Sequence, residues 1–224
     1  MRLERPLDLG VIKEHIEKHA RDHVIFMDLV SSVLGKGTTE YMLVEKAALS
    51  IINDFKGVRR HTGEEYVVHQ RSVAVIGMMY SDIKDHRLIA ADILHDTPED
   101  VEEVTFSDIR KQYGKKVAHI VQGMTKPELP EKGKLSQQQY DEICGQIIFA
   151  HVQKFGPECV QGKCRDRLHN MFTLWGDSSK KLRKISETVQ FVLPISIHAN
   201  YLWRELTMAT SEQLARLHVD DTQS

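Results

Sequence analysis

Ala90-Ala91-Asp92-Ile93-Leu94-His95-Asp96-Thr97-Pro98-Glu99-Asp100 decides how this chain is read. From about His86 to Asp96 apolar residues recur at helical spacing, with Leu88, Ala91 and His95 on one stripe. Pro98 disfavours helical geometry at Thr97, so this helix is expected to end near Asp96. Glu99 and Asp100 then sit on the turn just beyond it. Neighbouring helical residues point about 100° apart, so His95 and Asp96 reach one cation only if it lies near that end. A His-Asp dipeptide alone is expected about once by chance in such a chain. Its surroundings carry the weight.

Working outward, His69 and Asp166 complete a set of two imidazoles and two carboxylates. Such a set can hold one divalent metal, and a nearby carboxylate pair can handle the protons of an activated water. Each residue also has an ordinary reading. His69 and His95 could be core or surface histidines, and Asp96 could favour solvent. Asp166, between Arg165 and Arg167, could be an ion-pair partner. The stretch Val58-Arg59-Arg60-His61 reads as a solvated basic loop or as a phosphate- and base-binding one. Asn170 falls four residues after Asp166, on the same helix face.

The rest of the chain is helical in pattern, with little strand signal. The periodicity predicts helices over about 9–33, 39–55, 68–80, 109–113, 116–124, 136–155, 164–174, 180–193 and 195–206. Gly35, Gly37, Gly57, Gly114 and Gly156-Pro157 act as stops. Thr105 to Asp108 reads as a capping signal. The tail beyond Leu217 is expected to fray. The expected organisation is an N-terminal helical extension over 1–38, a catalytic domain over 39–206 and a helix end with a polar tail over 207–224.

At 224 residues, 41% hydrophobic and 28% charged, the chain can build one soluble globular domain. A net charge of −2 makes no global case for nucleic acid or a membrane surface. Cys144, Cys159 and Cys164 form no C-x-x-C, which suits a reducing cytoplasm. The N-terminus has no signal-peptide pattern, and no stretch approaches 18 apolar residues. The expectation is a cytoplasmic protein.

A resemblance emerges from four stretches in order: 60–69 with Arg60, His61, Thr62 and His69; 90–100; 114–126; and Asp166-Arg167-Leu168-His169-Asn170-Met171-Phe172-Thr173-Leu174. Over about residues 40–195 the chain resembles the hydrolase half of the Rel/SpoT alarmone enzymes and the stand-alone small alarmone hydrolases of the HD superfamily. The resemblance implies an all-α HD-domain bundle. It implies that His69, His95, Asp96 and Asp166 ligate a metal, typically Mn2+, and that Glu99 and Asp100 position and deprotonate the attacking water. It implies that Arg60 stacks on guanine, that Thr62 and Asn170 contact the nucleotide, and that Thr173 lines its pocket. His61 and Lys163 are carried as phosphate-side contacts. The implied reaction removes pyrophosphate from the 3′ position of ppGpp or pppGpp, giving GDP or GTP. Another nucleotide, such as NADPH losing its 2′-phosphate, and a low-turnover alarmone-binding regulator are the alternatives. A homodimer interface and a simple extension of the core are both open uses of the first forty residues.

The chain also departs from that family. Gln70 stands where proline is usual, which is expected to alter only the helix start. His61 stands where lysine or arginine is common. The aliphatic run ending in lysine-leucine-alanine before the last aspartate reads Glu158-Cys159-Val160-Gln161-Gly162-Lys163-Cys164-Arg165 here. An arginine of the preceding helix has no counterpart between Tyr140 and Phe149. Packing beneath the site and the phosphate side of the pocket are therefore where this chain should differ.

Overall fold

Polar side chains start most of the helices. In a computed structural model, which describes residues 8–222 and side chains as far as residue 218, Asp8, Asp22, Thr38, Asp85, Ser136 and Asp177 each accept a hydrogen bond from a backbone N–H of the turn that follows. Thr105 and Asp108 form a reciprocal capping box, as expected. The elements in order are α1 (Leu9–Arg21), α2 (His23–Leu34), α3 (Thr39–Asp54), α4 (Tyr66–Tyr80), α5 (His86–Leu94), α6 (Thr97–Asp100), α7 (Phe106–Tyr113) and α8 (Lys115–Met124). There follow α9 (Gln137–Phe155), α10 (Pro157–Phe172), α11 (Ser178–Glu187), a π-helical turn (Thr188–Val192), α12 (Leu193–His198) and α13 (Trp203–Thr222). The fold is all-α. Among the described residues, strand-like pairing is confined to one antiparallel bridge, Arg59 to Glu65, which closes the basic loop.

Several boundaries differ from the expected ones, each for a local reason. The helix expected over 9–33 is two helices. Asp22 leaves helical geometry and caps α2 through Val24 and Ile25. Thr97 is helical after all, because Pro98 falls in the first turn of α6, where its missing N–H leaves no bond unmade. Pro157 likewise opens α10 seven residues earlier than expected. Gln70 does not mark a helix start, since α4 begins at Tyr66, and its side-chain amide is buried without a hydrogen-bond partner. The π turn carries the chain to Pro194, and a turn with Asn200 and Leu202 at positive φ separates α12 from α13. Beyond Leu217, where fraying was expected, α13 continues to Thr222. The outermost parts of the expected terminal segments, 1–7 and 223–224, lie outside the described residues.

Helices α4, α5 and α10 form the centre. From Val67 to Met78 every residue of α4 is buried, and so is every residue of α5 from Leu88 to Leu94. A helix buried on all sides needs neighbours all round. α1 and α2 supply part of that cover for α4, through Ile12, Ile16, Ala20, Phe26, Met27 and Val30. The N-terminal helices therefore extend the core. α3 and α8 cover α5, and α8, α9 and α13 cover α10. Gly162 lets α10 approach Met124 of α8, where a Cβ would collide with the thioether.

Candidate metal and nucleotide site

Each central helix brings one part of the site. His69 comes from the first turns of α4, His95 and Asp96 from the end of α5, and Asp166 from the middle of α10. His69 Nε2 lies 3.4 Å from Asp96 Oδ2 and 3.4 Å from Asp166 Oδ1. His95 Nε2 lies 3.2 Å from Asp96 Oδ1 and 3.9 Å from Asp166 Oδ1. Ligand atoms of His69, His95 and Asp96 all fall within 4.8 Å of one another, close enough to hold one divalent cation.

The donor chemistry fits a cation. His95 Nδ1 faces the Asp92 carbonyl oxygen at 2.7 Å and donates its hydrogen there. As a neutral ring it would turn a lone pair on Nε2 toward two carboxylates. That nitrogen is buried and makes no hydrogen bond. A buried acceptor facing acceptors is unfavourable unless a positive charge lies between them. By the charges of this chain alone, burial opposes a proton on His95, yet Asp96 and Asp166 attract one strongly enough to bring its pKa to about 9. Burial would raise both aspartates. Instead His95 and His69 hold Asp96 well below the ordinary carboxylate range, and Lys163 with the two histidines does the same for Asp166.

Glu99 and Asp100 sit beside this cluster on α6. Tyr66 Oη donates to Asp100 Oδ2 at 2.6 Å and lies 3.3 Å from Asp96 Oδ2. Its ring stacks on Phe55 with centroids 4.8 Å apart. Burial first, then the charges of Asp96 and Glu99, push the Asp100 carboxyl up against the lowering effect of the Tyr66 bond. Glu99 is held differently: it accepts from the Lys126 backbone N–H at 2.6 Å, and its other oxygen is 3.4 Å from the Lys126 ammonium.

A cleft of about 420 Å³ opens above, lined by Arg60, His61, Thr62, Asn170 and Thr173 together with Tyr66, Asp100, Trp175, Lys180 and Lys184. Arg60 donates from Nη2 to Asn170 Oδ1 at 2.7 Å and from Nη1 to Thr173 Oγ1 at 3.0 Å. These bonds lie in the guanidinium plane and leave its faces for stacking. His61 stacks on Trp175, with centroids 4.1 Å apart and planes within 7°. The Lys180 ammonium sits 4.1 Å from the centre of the same indole. An open depression of about 570 Å³ shares Leu174, Trp175 and Lys180 with the cleft.

One expected substrate contact is placed elsewhere. Lys163 does not line the cleft. It is buried against Asp166 Oδ2 at 2.9 Å and the Met124 carbonyl at 3.5 Å. An ammonium in that position is anchored by the carboxylate it neutralises. Sequence reasoning missed Tyr66, His169, Trp175 and Lys180. His169 alone carried a signal, three residues past Asp166 on the same helix. Trp175 lies just beyond the quoted motif.

The HD domain profile matches residues 47–192, which contain all of these groups. The chain belongs to the HD domain family. It is 34% identical over 151 residues to guanosine-3′,5′-bis(diphosphate) 3′-pyrophosphohydrolase of Aquifex aeolicus, covering 65% of this chain and 20% of that protein. It is 33% identical over 144 residues to the bifunctional (p)ppGpp synthase/hydrolase SpoT of Escherichia coli, covering 63% and 19%. The chain thus spans about a fifth of the length of the curated relatives it matches. A solved structure of a metazoan SpoT ortholog that hydrolyses ppGpp superposes with a TM-score of 0.62 at 18% identity, over 76% of this chain and 95% of that one. That likeness is one of fold. Among the described residues no helix is long and apolar enough to cross a membrane.

Proposed function

We propose that this HD domain is a metal-dependent, cytoplasmic (p)ppGpp 3′-pyrophosphohydrolase that uses Mn2+. The observation that carries the reading is one cleft joining two chemistries. Two imidazoles and two carboxylates lie buried beneath it, tied to its lining through Tyr66 and through Arg60 and His169, and its wall holds an arginine fixed by Asn170 and Thr173 beside a cationic rim. The relatives' names supply the substrate class. Mn2+ suits a mixed imidazole and carboxylate set. Bound there, a divalent cation supplies Lewis acidity that offsets phosphate charge and acidifies a water.

The chain's own residues do the rest. Arg60 stacks its guanidinium on the purine, and Asn170 and Thr173 keep it in plane. Lys180, beside Trp175, offsets charge on the phosphates. Asp100 takes a proton from the water that attacks the phosphorus on the ribose 3′ oxygen. As that P–O bond breaks, its electrons go to the 3′ oxygen, which takes up the proton, and pyrophosphate leaves carrying the water's oxygen. The raised pKa of Asp100 and its Tyr66 link to Asp96 suit that role. Glu99, fixed by Lys126, orients the same water.

The test is to incubate the purified protein with Mn2+ and a panel of ppGpp, pppGpp, NADPH and ordinary nucleotides. Pyrophosphate from ppGpp supports the reading. Orthophosphate from NADPH redirects it to a 2′-phosphatase, and tight binding without product to a regulator. Asp100→Asn and Glu99→Gln should each keep Mn2+ affinity and lose at least about 10²-fold in kcat. Full activity in Asp100→Asn would remove the base assignment.

A further inference from the structure

His169 has no part in the mechanism above, yet it is buried at the junction of cleft and metal cluster. Its Nδ1 lies 2.8 Å from His69 Nδ1 and 3.5 Å from Arg60 Nη1. Two facing ring nitrogens can share only one hydrogen between them. A guanidinium can only donate, so it favours a lone pair on the nitrogen it faces. His169 Nδ1 is therefore the acceptor, and the hydrogen of the pair belongs to His69 Nδ1. That leaves the lone pair of His69 on Nε2, which points at Asp96 and Asp166. A second chain runs in parallel: Arg60 donates to Asn170 Oδ1, and Asn170 Nδ2 donates to Asp166 Oδ1 at 2.6 Å.

We propose that His169 is a positioning residue: it fixes His69 as an Nε2 metal donor and, through Arg60, ties that donor to the nucleotide cleft. The proposal rests on the reading that the cluster binds a divalent cation. Partners of this kind orient ligand imidazoles and make them more basic, and their loss commonly weakens metal binding about 10–100-fold.

The test reads Mn2+ affinity by titration against the EPR signal of the free ion, without any turnover measurement. His169→Leu should weaken Mn2+ binding about 10–100-fold. His169→Asn places a carbonyl oxygen where Nδ1 stood and should recover most of that loss, which a merely structural role would not predict. Equal Mn2+ affinity in wild type and His169→Leu would overturn the proposal, as would equal losses in the two variants. Should His169→Leu fail to fold, the tautomers can be read in the wild-type protein by 15N–1H correlation of the histidine rings. Hydrogen on His69 Nδ1 and none on His169 Nδ1 is expected, and the reverse overturns the inference. A wild-type protein that binds no Mn2+ would sink the metal reading itself, and the ring tautomers would still decide the role of His169.

Discussion

The floor, the layer buried beneath the cleft, and the rim of the cleft are built on opposite principles. On the floor, His69, His95 and Asp166 are at most 5% exposed and come from three helices that bury one another. There Lys163 pairs with Asp166, and Tyr66 and Asn170 donate to carboxylates of the cluster. On the rim, His61 and Trp175 are exposed and lean on each other by stacking. A buried charge without its partner is costly, so floor residues are determined by their neighbours. A solvated side chain can be exchanged cheaply, so the rim is where a chain of this family can be altered without endangering its fold. The departures at the rim fall where substrate choice would be set.

The largest effect expected from breaking this contrast lies at its centre. Asp96→Asn removes a proposed ligand that also faces Tyr66 and both histidines. Bound metal should be lost, together with the several kcal/mol a cation contributes to the transition state, at least about 10³-fold in turnover. Metal analysis of the purified variant alongside its rate checks this. A variant that retains metal and rate would dissolve the distinction between floor and rim.

A layer lower, Arg165 and Asp92 are both fully buried and paired at 2.6 Å, and Arg165 also donates to Tyr201 Oη at 2.7 Å. This is the change in packing expected beneath the site: Arg165 stands where the family it resembles carries alanine. The pair joins α5, which ends just before His95, to α10, which holds Asp166. Arg165→Met should cost about 3–5 kcal/mol in urea unfolding, because it strands the Asp92 carboxylate. The double variant Arg165→Met/Asp92→Leu should recover most of that loss, since an apolar pair needs no partners. A double variant as unstable as the single would mean that shape, rather than charge, holds this layer.

Much of this was legible before the structure. The all-helical pattern was readable because its stops are strong: Gly35, Gly57, Gly114 and Gly156 all take positive φ. The convergence of His69, His95, Asp96 and Asp166 was readable because each occurs in a recognisable local pattern. Helix breaks made by a side-chain cap in mid-pattern were not, as at Asp22, since an aspartate on a polar helix face looks the same whether it caps or not. Pro98 and Pro157 misled because proline reads as a stop, whereas in the first turn it is a start. Lys163 misled because its partner is three residues away along its own helix, so a cation that looked available to phosphate was already neutralised. The contacts of His169 with His69 and of Trp175 with His61 span about a hundred positions, which local pattern does not carry.

Between floor and rim, Glu187 pairs with Arg167 and with Lys184, holding the end of α11 to α10. Burial would raise its carboxyl, but Arg167 and Lys184 prevail and lower it from 4.5 to about 2. A depressed carboxylate pKa stabilises the fold fully above the unfolded value, and that contribution disappears as pH falls through the folded one. Between pH 4.5 and 2 the wild type should therefore lose up to about 3 kcal/mol through this group. Asp96 and Asp166 titrate in the same direction, so the readout is the difference between wild type and Glu187→Gln across that window. Parallel curves would show that the pair contributes nothing to acid stability.

The smallest effect belongs to the rim. Trp175 is 43% exposed and supports a ring on one side and an ammonium on the other. Trp175→Ala should leave Mn2+ binding and kcat in place, because the indole's ring contacts are with His61 and Lys180 and not with the cluster histidines. What it removes is a platform for Lys180, an exposed cation–π contact of about 0.5–1 kcal/mol, which converts to about a 2–5-fold rise in KM for ppGpp. Because the contact is proposed to act through a charge on the cleft rim toward phosphate, the difference between variant and wild type should shrink as ionic strength rises. Trp175→Phe, which keeps an aromatic face, should sit between the two. A fall in kcat comparable to that of the floor variants would place Trp175 in the catalytic arrangement, and the rim would then be no freer to change than the buried layer beneath it.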